Sequence, residues 1–157
     1  MTDFYEKLYK LALEEPSSKV RRTLILNTAS YKHPGDGSRW IWRLLVSLIH
    51  KFLPDAYREV NATGNLTSVQ PVDKLGWTLF RCVGGASTNC MNVADLYFRV
   101  PFLTNGTAKP TIATIAGSGE DGLILSRKSL AVWLLTELEE GKWIGKAPFL
   151  SSGGYWL

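Results

Sequence analysis

The chain predicts an α/β fold organised around a parallel sheet, and three stretches carry that reading. Asp3 to Glu14 holds apolar side chains at Phe4, Leu8, Leu11 and Ala12, the spacing of a helix lying on a core. After the Pro16-Ser17-Ser18 break comes Thr23-Leu24-Ile25-Leu26-Asn27-Thr28, apolar without alternation, as expected for a strand covered on both faces. A second β-rich run, Gly76-Trp77-Thr78-Leu79-Phe80-Arg81, follows two helical segments. Helix, short loop and buried strand make the second half of a βαβ unit, and the unit is read as lacking its first strand.

Along the chain, Thr2 or Asp3 can cap the first helix with a short oxygen-bearing side chain. The strand 23–28 ends in Ala29 to Ser38, polar and rich in turn formers, hence a loop. Loops at the carboxyl ends of strands hold ligands in α/β folds, so chemistry is sought there. Trp40 to Leu53 is a helix with apolar residues on most of its circumference, which implies burial under another layer or against a partner. Pro54 breaks it, and Asp55 to Gln70 is a further helix weakened by Gly64. Pro101 to Pro110 reads as loop, Thr111 to Ala116 as a strand, and Gly117 to Gly122 as a flexible turn. Ser126 caps the helix Arg127 to Glu140, whose Leu130, Ala131, Leu134, Leu135 and Leu138 are expected to face a core. Gly141 ends that helix, and Ala147 to Leu150 forms a short last strand.

Composition narrows the function classes. With 157 residues and 45% hydrophobic content, the chain supports one domain, residues 1–157, with a core of its own. The net charge of +4 is scattered apart from Lys19-Val20-Arg21-Arg22, and the aromatics fall in apolar-periodic segments, so no nucleic-acid partner is expected. Trp40 to Leu53 is interrupted by Arg43, His50 and Lys51 and is too short to span a bilayer; a peripheral contact through it is the lesser alternative, and no membrane partner is expected. Cys82 and Cys90, with no apolar N-terminal signal segment ahead of them, point to free thiols and a cytoplasmic location. By the same argument the sequons at Asn61, Asn65 and Asn105 are expected to stay unmodified. Two cysteines and the distant His33 and His50 are poor material for a metal site, and none is expected. The Gly117-Ser118-Gly119 turn lacks the flanking strand and helix of a phosphate loop.

Five phrases in order carry a family likeness: Leu24-Ile25-Leu26-Asn27-Thr28-Ala29-Ser30, Ala56-Tyr57-Arg58-Glu59, Gly76-Trp77-Thr78-Leu79-Phe80-Arg81, Ser126-Arg127-Lys128-Ser129-Leu130-Ala131 and Trp143-Ile144-Gly145-Lys146-Ala147-Pro148. Through them the chain resembles the C-terminal part of an atypical short-chain dehydrogenase/reductase of the NmrA-like, NAD(P)-binding group. The resemblance implies an incomplete Rossmann-like parallel sheet with flanking helices, lacking the N-terminal Gly-rich βαβ half that cradles the cofactor pyrophosphate. It implies an oxidoreductase acting on a small carbonyl or hydroxyl compound, possible in specialised metabolism, with NADP or NAD bound only if the Gly-rich half is supplied. Tyr57 and Ser30 take the catalytic positions, and Asn27, Thr28, Val100 and Pro101 the cofactor-side positions. The family's lysine four residues after the tyrosine, which would lower the phenol pKa, is here Asn61. Packing or backbone-bonding roles compete for Tyr57 and Ser30, and a non-catalytic regulator or an inactive remnant competes with the enzyme.

Similar proteins run from a Trp-Thr-Leu/Ile-Phe-Arg strand directly into Val-Pro-x-Leu-Thr-Asn-Gly, the loop over the nicotinamide. Here that would join Arg81 to Val100, so Cys82 to Arg99 is read as an insertion: a translated, unspliced intron, or alternatively a lid loop with a short helix at Val93 to Phe98. An unpaired edge on the strand 23–28 is an association hazard, which makes a homo-oligomer the expected partner besides a small-molecule substrate.

Overall fold

The computed structural model describes residues 2–14, 22–37, 40–82, 103–104, 110–118, 122 and 125–152. Its helices are α1 (Thr2–Glu14), α2 (Trp40–Phe52), α3 (Pro54–Ser68) and α4 (Arg127–Glu140). Its strands are β1 (Arg22–Thr28), β2 (Gly76–Cys82), β3 (Leu103–Thr104), β4 (Ile112–Thr114), β5 (Leu125–Ser126) and β6 (Phe149–Ser151). The sheet order is β1-β2-β6-β4, open at β1 and β4, with β3 and β5 forming a separate parallel pair. β1, β2 and β6 run parallel, while β4 is antiparallel to β6. The described sheet is therefore mixed rather than purely parallel. Residues 83–100, which hold most of the expected insertion, lie outside the described set.

The residues that start and stop α4 act as capping chemistry requires. Ser126 Oγ accepts from the Ser129 N–H at 3.0 Å, and Gly141 takes the left-handed conformation at φ 65°, donating its N–H to the Glu137 carbonyl at 2.9 Å. Pro54 stands in the first turn of α3, where its missing N–H leaves no helical bond unmade.

Two apolar layers enclose the sheet. Alternate residues Ile25, Trp77 and Leu79 pack with Tyr9 and Ala12 of α1 and Val60 and Leu66 of α3. The opposite parity, Leu24, Phe80 and Cys82, packs with Leu130, Trp133 and Leu134 of α4 and with Leu150. The buried Tyr9 hydroxyl shares a 2.7 Å hydrogen bond with Thr67 Oγ1, and desolvation pushes the phenol up to about 12.

Several expectations are corrected. β1 is not covered on both faces, because Leu26 is 43% exposed and only Ile25 and Asn27 are buried. The inward face of α1 is Tyr5, Tyr9, Ala12 and Leu13, while Phe4 and Leu11 face solvent, since the amphipathic tyrosines bury their rings and still satisfy a hydroxyl. On α4, Leu135 and Leu138 are exposed and Ala131 is on the surface; Ser129 and Glu137 are the buried residues instead. Glu137 is inside because Arg22 of β1 pairs with its carboxylate, which also accepts from the Trp143 N–H at 2.9 Å. Leu103–Thr104, expected as loop, pairs in register with Leu125–Ser126.

Gly64 sits in α3 directly under the buried Tyr31 ring, and a Cβ there would fall far inside van der Waals contact of that ring. Helix propensity alone favours alanine by about 1 kcal/mol, but a buried ring whose hydroxyl is bonded to Ser68 cannot yield freely. Gly64→Ala is expected to destabilise by about 1–3 kcal/mol in urea denaturation; a raised unfolding midpoint would show that Tyr31 moves aside.

Candidate functional site

The parallel strands β1, β2 and β6 end at Thr28, Cys82 and Ser151, and the polar residues expected to carry chemistry gather at the end of β1. Asn27 is buried and its side chain is used twice. Its Nδ2 donates to the Val60 carbonyl of α3 at 3.2 Å, and its Oδ1 accepts from the Thr28 N–H at 2.7 Å. Thr28 Oγ1 accepts from the Ser30 N–H at 3.2 Å, and the Thr28 carbonyl accepts from the Tyr31 N–H, closing a turn over 28–31. That turn buries Ser30 and sends Tyr31 back along α3, where its hydroxyl shares a 2.7 Å bond with Ser68 Oγ. The strand end is thus a chain of local hydrogen bonds anchored to α3.

Tyr57 stands near the start of α3, one turn before the Val60 carbonyl that Asn27 holds. Its ring is half-buried beside His50, with centroids 4.7 Å apart. Asn61, in the position of the expected lysine, turns its Nδ2 back onto the Tyr57 carbonyl at 2.8 Å. The structure therefore brings Asn27, Thr28 and Ser30 together, with Tyr57 on the helix they are tied to. Among the described residues no hydrogen bond links the Tyr57 hydroxyl to Ser30. Val100 and Pro101 lie outside the described set.

The residue that sequence reasoning missed is Arg81. The sequence reading takes it only as the charge that ends a strand, yet β2 continues to Cys82 and Arg81 is only 1% exposed. Its Nε donates to the Ala147 carbonyl at 3.1 Å and one terminal nitrogen to the Tyr31 carbonyl at 3.0 Å. Both terminal nitrogens engage the Asp36 carboxylate, one of them at 2.7 Å to Oδ1, and Ala147 receives a second bond. Asp36 also accepts from the His33 N–H at 2.7 Å, while its own N–H donates to the His33 carbonyl. The usable signal was an arginine inside an apolar run, a charge that must find a partner when buried. The partner, Asp36, sits between two glycines in the loop.

That loop ends in a close backbone crossing. Gly37 N–H donates to the Ala116 carbonyl at 2.7 Å, and a Cβ on Gly37 would meet the Gly117 carbonyl oxygen at 2.7 Å. Gly117, at φ 83°, faces Gly37 equally closely. Its glycine serves the crossing and not a phosphate cradle. Burial lowers the pKa of His33, with the Arg81 charge acting in the same direction and Asp36 opposing both. Burial also pushes the free Cys82 thiol up to about 12, which leaves it without thiolate reactivity. The described residues include no cluster of His, Cys, Asp or Glu that could hold a metal ion.

No protein-family model, no curated protein and no solved structure matches the chain.

Two outcomes follow from this geometry. Asp36→Asn strips the counter-charge from a buried guanidinium and is expected to cost about 3–5 kcal/mol, whereas Arg81→Met with Asp36→Leu costs less than that single change; equal costs in denaturant titrations would mean that the charge pairing is immaterial. His33 has a folded pKa below its ordinary 6.5, so the folded state favours the neutral ring and stability falls as pH drops from that value through the folded pKa. His33→Gln should flatten the stability profile in that window, and an unchanged profile would assign the slope to other groups.

Proposed function

We propose that the chain is an oxidoreductase-like protein of the NAD(P)-dependent, NmrA-like atypical short-chain dehydrogenase/reductase type, acting on a small carbonyl or hydroxyl compound. The observation that supports this most is the placement of Ser30 at the end of the parallel strand β1 and of Tyr57 on the helix bonded to that same strand end. An α/β arrangement with helices on both faces of an open sheet accords with a Rossmann-like fold in general. In this reading Ser30 and Tyr57 hold the substrate oxygen, and Tyr57 supplies or takes its proton. A bound nicotinamide would supply the hydride.

The fit of the dinucleotide is partial. Asn27 and Thr28 stand where the family places cofactor contacts, but both Asn27 side-chain groups are already bonded to the protein. The Gly37–Gly117 glycines are spent on a backbone crossing, so the described residues contain no pyrophosphate cradle. NADP or NAD binding at this edge rests on a Gly-rich half supplied in addition.

The second reading, a non-catalytic binder of the dinucleotide or of a protein partner, is favoured by Asn61. Its side chain is neutral and is turned onto the helix backbone, so that position places no cation beside Tyr57.

Titration with NADPH, followed by carbonyl-dependent oxidation, separates these readings. The enzyme reading expects saturable binding and a turnover that Tyr57→Phe reduces by about 10²–10⁴-fold with little change in cofactor affinity. Binding without turnover supports the regulator, and no binding at millimolar cofactor overturns both dinucleotide readings for this chain on its own.

A further inference from the structure

The sequence of α2 implied a helix buried under another layer or against a partner. In the structure Trp40, Leu44, Leu48 and Phe52 instead line up at four-residue intervals and are all exposed, Trp40 at 74% and Phe52 at 70%. Leu53, just past the helix, extends the apolar surface. Among the described elements α2 packs chiefly against α3, and the stripe stays exposed. From the helical period, Arg43, Ser47, His50 and Lys51 share the arc beside the stripe, and the helix contains no acidic residue. The Lys51 ammonium lies 5.8 Å from the centre of the Phe52 ring, so the cation borders the apolar surface directly.

We infer that α2 docks the protein onto an anionic membrane surface, lying in the plane of the interface. Aromatic side chains at both ends of a Leu-rich stripe, flanked by uncompensated basic groups, are the features of an interfacial helix. Thirteen residues make a helix of about 20 Å, too short for the roughly 30 Å hydrocarbon core, so the contact is parallel to the surface. Charge decides between occupants. An antiparallel second copy centred on Val46, the midpoint of the stripe, would bring Lys51 opposite position 41, about 3 Å along the axis from Arg43, two like charges with no acid on either helix to relieve them. An anionic lipid surface complements both. This inference is independent of the oxidoreductase reading and needs no cofactor.

Co-sedimentation of the whole chain with phosphatidylcholine vesicles, with and without about one-third phosphatidylserine, tests it. Binding is expected only with the anionic lipid, and to weaken as salt is raised. Leu44→Glu with Leu48→Glu should abolish it. Arg43→Gln with Lys51→Gln, which keeps the apolar stripe, should weaken it roughly thirtyfold, the effect of two basic groups near an anionic surface. Both variants alter exposed positions, and far-ultraviolet circular dichroism checks that they fold. The inference is overturned if the wild-type chain ignores anionic vesicles at low salt, or if Leu44→Glu with Leu48→Glu binds as well as wild type. It is equally overturned if the stripe supports a concentration-dependent dimer, or capture of an acidic amphipathic peptide, with no vesicle binding.

Discussion

The buried pair between Arg81 and Asp36 is the interaction on which the arrangement of the carboxyl end of the sheet depends. Arg81 comes from β2, Asp36 from the loop after β1, and the same guanidinium holds the Ala147 carbonyl just before β6 and the Tyr31 carbonyl. One planar group with five fixed donors therefore ties three neighbouring segments together, a task that the point charge of a lysine could not perform. Removing two charges from water is costly, and the pair is sustained only because every donor finds an acceptor with the right direction. The gain lies in position more than in net stability. With Asp36 fastened to Arg81, the loop after β1 is closed against β2.

This closure bears on the chemistry proposed for the strand end. Asn27, Thr28 and Ser30 are polar, adjacent and placed where an α/β fold binds ligands, yet most of their described hydrogen bonds serve the turn and its attachment to α3. A ligand at this edge would meet a prearranged surface. Prearrangement favours binding because little ordering remains to be done, but it also means that any new contact to Asn27 must displace an existing one.

Local chemistry was legible in the sequence, and long-range pairing was not. The Ser126 cap, the Gly141 terminus, the proline at the start of α3 and the runs that became β1 and β2 all act through residues a few positions apart. The inward face of α1 was misread because hydropathy ranks Phe4 and Leu11 above Tyr5 and Tyr9, while a tyrosine beside Thr67 can bury its ring and keep its hydroxyl satisfied. Glu137 and Arg81 escaped notice for the same reason: their partners, Arg22 and Asp36, lie on other elements, and a charge is read as exposed until its partner is known. On α2 the apolar circumference was visible, but what covers each side of a helix is decided by its neighbours, and α3 covers only part of it.

The Gly37–Gly117 crossing has a consequence for folding order. It joins two loops that are distant along the chain, so it can form only after the entropy of a long closed loop has been lost. Its closure entropy is larger than that of the α2–α3 contact, which joins segments adjacent in the chain. The closure term grows only logarithmically with the intervening length. Eighteen residues more or fewer between the two glycines, the size of the segment 82–99, change it by no more than a few tenths of a kcal/mol. In closure entropy, the latch between the loops is thus nearly indifferent to the length of chain it encloses.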